Sequence, residues 1–299
     1  MINQDFLSEI TKSGIICQTD VPMKDHTTFR IGGPSDYYIT VNSVGELRSV
    51  IDLCREFSIE YMLIGNGSNL LVNDAGLRKA VIRLAGEFKD ISHKENTITC
   101  GAGTTLSKLC TYALNESLSG LEFAFGIPGT VGGAVFMNAG AYGGEMKDVI
   151  TSVTHLTPDG KVETVPAHTL ELSYRHSIYK TNDCIILSAE FSLHNDDKSE
   201  IKSRMDDFMN RRVTKQPLEF PSAGSVFKRP EGAFAGALIE QCGLKGECVG
   251  GAQVSEKHSG FIINKGGATC QDVMDLVALV QKTVKDETGY TLEREIIRL

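Results

Sequence analysis

Positive charge is scarce in this sequence. Its 30 lysines and arginines are outnumbered by 38 aspartates and glutamates, which gives a formal net charge of −8. Nucleic acids and anionic membrane surfaces attract proteins that present a dominant positive field, so we exclude both as partners. Any recognition of phosphate must therefore depend on a few local residues.

Signals for export and for metal binding are also missing. The N-terminus has no basic segment followed by an apolar core, so we expect no signal peptide. The eight cysteines are scattered without a C-x-x-C pair, and we predict no metal site. Free thiols in a chain without an export signal indicate the reducing cytoplasm.

Internal repeats and low-complexity tracts are absent as well. A hydrophobic content of 41% and a charged content of 23% are ordinary for a globular protein, which excludes wholesale disorder. A length of 299 residues predicts about two domains.

One long segment, residues 123–144, contains no charged residue at all. Pro128, Asn138 and many glycines exclude a membrane span, because their backbone groups would be poorly satisfied in lipid. Dense glycine predicts backbone at positive φ or in close approach to another group. We interpret the segment as a bed of exposed N–H and C=O groups for a large flat ligand; a close-packed crossing of the core is the alternative. Its seven glycines are Gly126, Gly129, Gly132, Gly133, Gly140, Gly143 and Gly144.

A second glycine loop, Gly65-Asn66-Gly67-Ser68-Asn69, follows a predicted strand at 59–64. It is not a Rossmann fingerprint, since the third glycine is missing and no helical pattern follows. Two glycines with serine and asparagine can form a pyrophosphate cradle, but taken alone the loop is more typical of a plain turn.

Periodicity predicts a mixture of helices and strands. Five helices are predicted. One begins after the Ser43 cap, two span 199–213 and 233–242, and one begins after the Thr269 cap. The fifth has a core face formed by Leu106, Leu109, Cys110, Ala113 and Leu114. Strands are predicted at 37–41, 59–64, 80–84, 97–101, 150–156, 161–165, 183–193, 261–264 and 295–299. The polar run at 195–198 predicts a domain boundary.

Five motifs in series resemble the UDP-N-acetylenolpyruvoylglucosamine reductase family. The resemblance spans the whole chain in the family's order, and it implies a flavoenzyme of peptidoglycan precursor synthesis. Such enzymes use NADPH to reduce the enolpyruvyl ether of a UDP-sugar to UDP-N-acetylmuramate. The motifs are residues 65–71, 126–143, 173–177 (SYRHS), 222–228 (SAGSVFK) and 292–295 (LERE).

The resemblance implies an α+β fold with two parts. Residues 1–197 would form an FAD-binding region of the vanillyl-alcohol-oxidase (PCMH) type, with subdomains at about 1–75 and 76–197. Residues 198–299 would form an α+β substrate-binding domain, whose last strand could return to the first subdomain. The chain is similar to the shorter class of the family, which lacks an insertion carrying a tyrosine that closes over the substrate.

The resemblance also implies noncovalently bound FAD, with NADPH and the UDP-sugar using one cleft in turn. The residues implied to bind FAD are Gly65, Asn66, Gly67, Ser68, Asn69, Gly126, Gly129, Thr130, Gly132, Gly133, Asn138 and Gly140.

Three residues match the family's catalytic positions. Arg175 would support the substrate carboxylate, Glu295 would lie near the same carboxylate, and Ser225 would protonate the intermediate. Without the motifs around them, each is typical of an ordinary surface or turn residue. Tyr174, Lys215 and Arg229 are implied to bind the UDP-sugar. We interpret Lys228 and Lys257 as solvated, and His258 as either a substrate contact or a structural residue.

Two other functions fit parts of the sequence. A flavin-dependent alcohol or sugar oxidase could use the same FAD-binding architecture, although it would not need Arg175, Ser225 and Glu295. A nucleotide-binding module without chemistry would need only the glycine loops. The sequence predicts no particular oligomeric state.

Overall fold

The computed structural model describes residues 2–299, which form two compact units. The first unit contains the chain up to Gln18 together with Tyr37–Asn66 and Lys79–Arg212. The second contains Thr19–Asp36, Gly67–Arg78 and Val213–Leu299. Each unit is therefore built from three separate stretches of chain.

Several of the α-helices begin at residues whose side chains cap them. Ser43 Oγ accepts a hydrogen bond from the Glu46 N–H at 3.1 Å, and Thr269 forms a reciprocal capping box with Asp272. The left-handed Gly289, with φ of 79°, ends the last helix. The helices are α1 (Gln4–Lys12), α2 (Val44–Glu56), α3 (Leu106–Asn115), α4 (Val131–Phe136), α5 (Lys198–Lys215), α6 (Ala235–Gln241) and α7 (Cys270–Thr288).

The strands are mostly short. They are β1 (Ile16–Pro22), β2 (Pro34–Val41), β3 (Tyr61–Ile64), β4 (Leu70–Leu71), β5 (Leu77–Leu84), β6 (Ile91–Lys94), β7 (Thr97–Gly101), β8 (Leu118–Ser119), β9 (Gly140–Ala141), β10 (Gly144–Glu145), β11 (Ile150–Leu156), β12 (Val162–Pro166), β13 (Ile185–Ser192), β14 (His194–Asn195), β15 (Ser222–Ser225), β16 (Cys248–Val249), β17 (Ala252–Val254), β18 (Phe261–Asn264) and β19 (Ile297–Arg298).

A five-stranded antiparallel sheet dominates the first unit, in the order β12-β11-β13-β7-β6. A four-stranded sheet has the order β1-β2-β5-β3, and its β3 and β5 are parallel. Helix α2 contributes Leu47, Val50, Ile51 and Cys54 to the core, one stripe at helical spacing. The first unit therefore has one continuous core shared by helices and sheets.

Two polar clusters are enclosed in the first unit. The Glu122 carboxylate accepts hydrogen bonds from Ser119 Oγ at 2.8 Å, from the Gly120 N–H at 2.8 Å and from Arg204 Nη2 at 2.8 Å. In the second cluster, His155 Nδ1 lies 2.9 Å from the Tyr179 hydroxyl, and both residues are buried. These bonds satisfy polar groups that would otherwise be costly to bury.

The second unit pairs a sheet with helices α6 and α7. Its antiparallel sheet has the order β15-β18-β17-β16, and α7 buries Val273, Leu276, Val280 and Val284 completely. The last strand, β19, pairs in parallel with β4, with Ile297 opposite Leu70. A separate core fills this unit.

Most predicted elements are present, with ends shifted by a few residues. Strands β7, β11 and β18 have the predicted limits, and the predicted α3 core face is buried except for the partly exposed Leu114. Helix α1 and strand β1 were not predicted. None of the helices within residues 2–299 is long and apolar enough to cross a lipid bilayer.

The two units do not follow the predicted boundary after residue 197. Helix α5 belongs to the first unit as far as Arg212, because its Ile201 and Met205 pack into that unit's core. Compactness does not test which ligand each part binds. The division into an FAD-binding region at 1–197 and a substrate-binding domain at 198–299 therefore stays a prediction.

Candidate active site

The glycine run in the first unit is partly helical. Thr130 begins α4 and accepts a hydrogen bond from the Gly133 N–H at 3.4 Å. The Val131 N–H donates to the Thr104 carbonyl at 2.8 Å, and the Gly132 N–H donates to the Ala102 carbonyl at 2.9 Å. These N–H groups are already engaged, so this part of the run is a close-packed crossing of the core and not an open bed.

Several of these glycines are required by close packing. A Cβ at Gly65 would lie 2.5 Å from Thr130 Oγ1, and one at Gly140 would lie 2.7 Å from Glu145 Cγ. At Gly133 the nearest atom would be Thr130 Oγ1 at 3.6 Å, an ordinary contact distance, and the residue is exposed, so this position is open to another group. The run therefore combines positions closed by packing with a position where another group can approach the backbone.

Two predicted cofactor segments meet within the first unit. Asn66 Nδ2 donates to the Pro128 carbonyl at 3.1 Å, and Gly65 packs against Thr130. Residues from 65–66 and from 126–140 therefore form one surface, as the FAD prediction requires.

Unpaired polar atoms lie beside this surface. Arg212 Nε is buried without a hydrogen-bond partner among the described residues, and a Cβ at Gly126 would lie 2.7 Å from it. Burial lowers the pKa of the Arg212 guanidinium, and Tyr142 opposes that effect. Thr104 Oγ1 is likewise buried and unpaired within residues 2–299. A buried N–H and a hydroxyl that lack partners suit a ligand rich in acceptors, so this region fits an anionic, partly apolar group such as FAD.

The rest of the second glycine loop belongs to the second unit. Gly67 has φ of 61°, and a Cβ there would lie 2.3 Å from the His26 carbonyl. Asn69 Nδ2 donates to the Glu295 carbonyl at 3.2 Å, and the Ile297 N–H donates to the Asn69 carbonyl at 2.9 Å. Asn69 thus joins the loop to the segment that carries a predicted catalytic residue.

A β-bulge presents Ser225. Ser222 pairs with Ile263 and Ser225 with Phe261, so β15 has one residue more than β18 between these pairs. Gly224 takes φ of 76°, which glycine adopts readily. The Ser225 hydroxyl donates to the Phe227 carbonyl at 3.1 Å. The bulge therefore turns a half-buried hydroxyl out of the regular alternation of the strand.

Ser225 and Glu295 are brought together in the second unit. The Glu295 N–H donates to the Val226 carbonyl at 2.8 Å, and Phe227 forms an antiparallel bridge with Arg294. Two predicted catalytic residues separated by 70 positions therefore lie on adjacent backbone segments.

His258 lies close to Ser225. Its Nδ1 accepts the Gly260 N–H at 3.1 Å, so the neutral ring carries its proton on Nε2. Burial lowers the pKa of His258, which favours that neutral ring. A Cβ at Gly260 would lie 3.1 Å from His258 Cε1 and 3.4 Å from Ser225 Oγ. His258 has a structural bond on one nitrogen, and Gly260 keeps the space between the ring and the hydroxyl clear.

Arg175 lies on a tight hairpin in the first unit. Ser173 and His176 exchange two backbone hydrogen bonds, at 3.2 Å and 3.0 Å, around Tyr174 and Arg175. Arg175 takes the left-handed φ of 55°, and its guanidinium lies 5.0 Å from the centre of the Tyr174 ring. Asn138 Nδ2 donates to the Ser173 carbonyl at 2.9 Å. The hairpin is therefore fixed to the end of the glycine run.

Comparisons with known proteins agree along the whole chain. A family model described as UDP-N-acetylenolpyruvoylglucosamine reductase, C-terminal domain, matches residues 216–299, and one described as FAD binding domain matches residues 35–166. A protein named UDP-N-acetylenolpyruvoylglucosamine reductase from Clostridium novyi (strain NT) is 48% identical over 99% of this chain and 95% of its own length. One of the same name from Agathobacter rectalis is 49% identical over 99% of this chain and 98% of its own length. The chain belongs to the UDP-N-acetylenolpyruvoylglucosamine reductase family.

A solved member of this family has the same fold. The crystal structure of UDP-N-acetylenolpyruvylglucosamine reductase (MurB) from Thermus caldophilus matches with a TM-score of 0.82 and 39% identity, over 95% of this chain and 99% of the other. The predicted family is confirmed, and so is the predicted fold of an FAD-binding region followed by a C-terminal α+β domain; the vanillyl-alcohol-oxidase type of that region stays a prediction.

The basic residues predicted to bind the UDP-sugar differ in their surroundings. Lys215 is the exposed last residue of α5, and the Arg229 guanidinium lies 4.5 Å from the centre of the Phe234 ring. The role of Lys215 and Arg229 in binding stays a prediction. Lys228 and Lys257, which were interpreted as solvated, each contact another residue of the second unit: Lys257 Nζ donates to the Val213 carbonyl at 2.7 Å, and Lys228 Nζ lies 3.0 Å from Glu293.

The family motifs missed three residues of the first unit. Glu145 is the first charged residue after the glycine-rich segment. Lys147 is the largest cause that lowers the pKa of its carboxyl, and Asn138 and Arg175 contribute to the same effect. Arg212 and Thr104 carry the unpaired polar atoms described above. The polar helix that holds Arg212 gave no signal, because charged residues of both signs fill its exposed face and one more arginine does not stand out.

A surface groove of about 670 Å³ lies elsewhere in the first unit, between α2 and the β11–β12 turn. Its charged side chains are of both signs, and no residue predicted to bind FAD or substrate lines it.

Proposed function

We propose that this protein reduces UDP-N-acetylglucosamine enolpyruvate to UDP-N-acetylmuramate, with noncovalently bound FAD and with NADPH as hydride donor. Family membership along 99% of the chain carries this proposal. The reaction belongs to peptidoglycan precursor synthesis. Eight free cysteines support the cytoplasm as the compartment.

Bound FAD would supply the hydride-transfer chemistry that links NADPH to the enolpyruvyl ether. In this proposal Gly65, Asn66 and the glycine run hold the cofactor, with Arg212 Nε as a donor to its electronegative atoms. Gly67, Ser68 and Asn69 are also predicted to bind the cofactor. The unpaired Nε and the open Gly133 support this assignment.

Arg175 orients the substrate. Hydride addition at the terminal carbon places negative charge on the neighbouring carbon, delocalised into the carboxylate. A planar guanidinium can bind a carboxylate through two hydrogen bonds and stabilise that charge as it develops. The hairpin bonds of Ser173 and His176 support this role, because they hold Arg175 in a defined backbone conformation.

Ser225 supplies the proton in this proposal. A hydroxyl is a weak acid, but the carbanion-like acceptor is strongly basic, so precise placement can make the transfer effective. The bulge at Gly224 supports such placement. Glu295, on the adjacent segment, would face the same substrate carboxylate. Lys215 and Arg229 would bind the diphosphate, and Tyr174 would contact the sugar nucleotide.

An anaerobic titration of the flavin tests the function. The purified protein, loaded with FAD, receives one equivalent of NADPH and then UDP-N-acetylglucosamine enolpyruvate while the visible flavin absorbance is followed. We expect NADPH to bleach the flavin and the enolpyruvyl sugar to restore its colour, with UDP-N-acetylmuramate identified by mass. UDP-N-acetylglucosamine, which lacks the enolpyruvyl group, is the control and should restore nothing.

Other outcomes would redirect the assignment. If NADPH bleaches the flavin but the enolpyruvyl sugar does not restore its colour, this sugar is not the substrate. Rapid bleaching by an alcohol or a free sugar, with peroxide formed when air is admitted, would establish the flavin oxidase. Failure to bind FAD would contradict the flavoenzyme altogether and favour a binding module.

A further inference from the structure

The side chain of Asn138 connects two segments of the first unit, the glycine run and the hairpin that carries Arg175. Asn138 is fully buried, and its backbone takes the left-handed φ of 41° within the glycine run, just after helix α4. Asparagine tolerates this conformation better than most residues. The side chain is therefore fixed in direction by the backbone as well as by its surroundings.

Every donor of that side chain is used inside the chain. Nδ2 donates to the Ser173 carbonyl at 2.9 Å and to Glu145 Oε2 at 3.0 Å, while Oδ1 accepts the Lys147 N–H at 2.9 Å. An amide nitrogen has two hydrogens. Asn138 thus has no side-chain hydrogen left for a cofactor, although the sequence motif assigned it to FAD.

The Ser173 carbonyl is the important acceptor. It belongs to the residue that closes the two-residue hairpin around Tyr174 and Arg175. A second tie, from Ser177 Oγ to the Phe136 carbonyl at 2.7 Å, fixes the other end of the same hairpin to helix α4. The hairpin is thereby attached at both ends to the glycine run, residues 123–144.

Electrostatics act in the same place. Glu145, which Asn138 holds from one side, forms a 2.8 Å ion pair with Lys147 on the other. Arg175 and Glu145 attract each other, since Arg175 contributes to lowering the pKa of the Glu145 carboxyl after the larger effects of Lys147 and Asn138. One amide therefore fixes both the backbone that carries Arg175 and an anion that attracts its guanidinium.

We propose that Asn138 is a positioning residue for Arg175, which sets the arginine relative to the glycine-rich surface and so aligns the substrate carboxylate. This inference rests on the proposed function, because it assigns Asn138 to the second half-reaction of that reductase. A displacement of a catalytic group by about 1 Å can cost about 100-fold in rate. Loss of the Asn138 hydrogen bonds should therefore slow the reoxidation of the flavin by the enolpyruvyl sugar, which uses Arg175, and spare the reduction of the flavin by NADPH, which does not.

Two variants separate this role from others. Asn138→Gly removes the amide while keeping a residue that accepts positive φ, and Asn138→Asp keeps the shape but loses both donors and sets an anion against Glu145. Val153→Ala, in the core sheet of the same unit, is the control for lost stability alone. Each variant is compared with the wild-type holoenzyme for FAD affinity, rate of bleaching by NADPH, rate of recovery with the enolpyruvyl sugar, and affinity for UDP-N-acetylmuramate from the perturbed flavin spectrum.

For both Asn138 variants we expect FAD affinity and bleaching rate within about twofold of wild type, but recovery slowed by about tenfold or more and weaker product binding. Val153→Ala should lower the melting temperature and leave both rates alone. A loss of FAD affinity would show that Asn138 serves the cofactor and would overturn the proposal. Equal slowing of both half-reactions, or no slowing of either, would overturn it as well. If the wild-type enzyme itself shows no recovery, the proposed function fails instead.

Discussion

The Glu122 cluster predicts a large loss of stability from a single substitution on helix α5. Arg204 Nη2 and Nε lie 2.8 Å and 3.1 Å from Glu122 Oε1. The Glu122 side chain is 9% exposed and the Arg204 side chain 39%. In Arg204→Met the carboxylate stays buried without its cation, although Ser119 and Gly120 still donate to it.

The expected loss follows from these exposures. Removing one partner of a fully buried pair costs about 3–5 kcal/mol. Because Arg204 is partly solvated, water weakens the pair, and we expect the free energy of unfolding to fall by about 2–3 kcal/mol. For a unit of this size that corresponds to a melting temperature lower by about 5–10 °C.

The dependence on pH has a definite sign. Burial acts to raise the pKa of Glu122, but hydrogen bonds from its own backbone amide, Ser119, Arg204 and Gly120 outweigh burial and lower it. The charged carboxylate therefore stabilises the fold above its unfolded pKa of about 4.3, and that stabilisation is lost as the pH falls through the lower folded value. The difference between wild type and Arg204→Met should be largest at neutral pH and should shrink below about pH 4.5.

Urea unfolding followed by circular dichroism measures the effect, with a double-mutant cycle that includes Glu122→Gln. The control is Arg211→Met on the same helix, whose exposed 2.7 Å pair with Asp207 should contribute less than about 0.5 kcal/mol. A loss in Arg204→Met no larger than in Arg211→Met would refute the reasoning, as would a difference that grows on acidification.

Three further predictions concern the site and the core. Ser225→Ala should keep bound flavin and its bleaching by NADPH while product formation falls about 100-fold or more, as stopped-flow absorbance and product mass would record; normal turnover would remove Ser225 as the acid. Burial lowers the pKa of His155, and Glu163 opposes this only in part, so the neutral ring stabilises the fold above its unfolded pKa of about 6.5 and that contribution is lost as the pH falls below it. His155→Phe should therefore lose less stability than wild type between pH 7 and pH 5 in thermal melts; equal slopes would contradict this. Denaturation with acid should release all the flavin into the supernatant, and yellow colour kept in the precipitate would disprove noncovalent binding.

Local patterns predicted the secondary structure where the signal was strong. The Thr269 capping box and the apolar spacing of α7 predicted that helix, and strands β11 and β18 have the predicted limits. Helix α4 was missed because glycines at 132 and 133 suppress helix propensity, and its first turn is held by the Thr130 cap together with tertiary hydrogen bonds to Thr104 and Ala102.

The candidate site was predicted unevenly for a similar reason. Motifs located Arg175, Ser225 and Glu295 because each lies in a distinctive string of residues. No string reveals that Asn138 bonds to Ser173, or that Arg212 leaves Nε unpaired, since these facts depend on contacts between distant segments. The division into two units was not predicted for the same reason: no sequence pattern in residues 19–36 and 67–78 indicates that they pack with residues 213–299.

The pairing of β19 with β4 has a consequence for the order in which the chain folds during synthesis. All residues of the first unit lie at or before position 212, so that unit can fold while the rest of the chain is still being translated. Residues 70–71 must wait for residues 297–298, and Asn69 must wait for Glu295. The nascent protein therefore holds β4 without its partner strand until translation is nearly over, and this interval is when a ribosome-associated chaperone would be needed most.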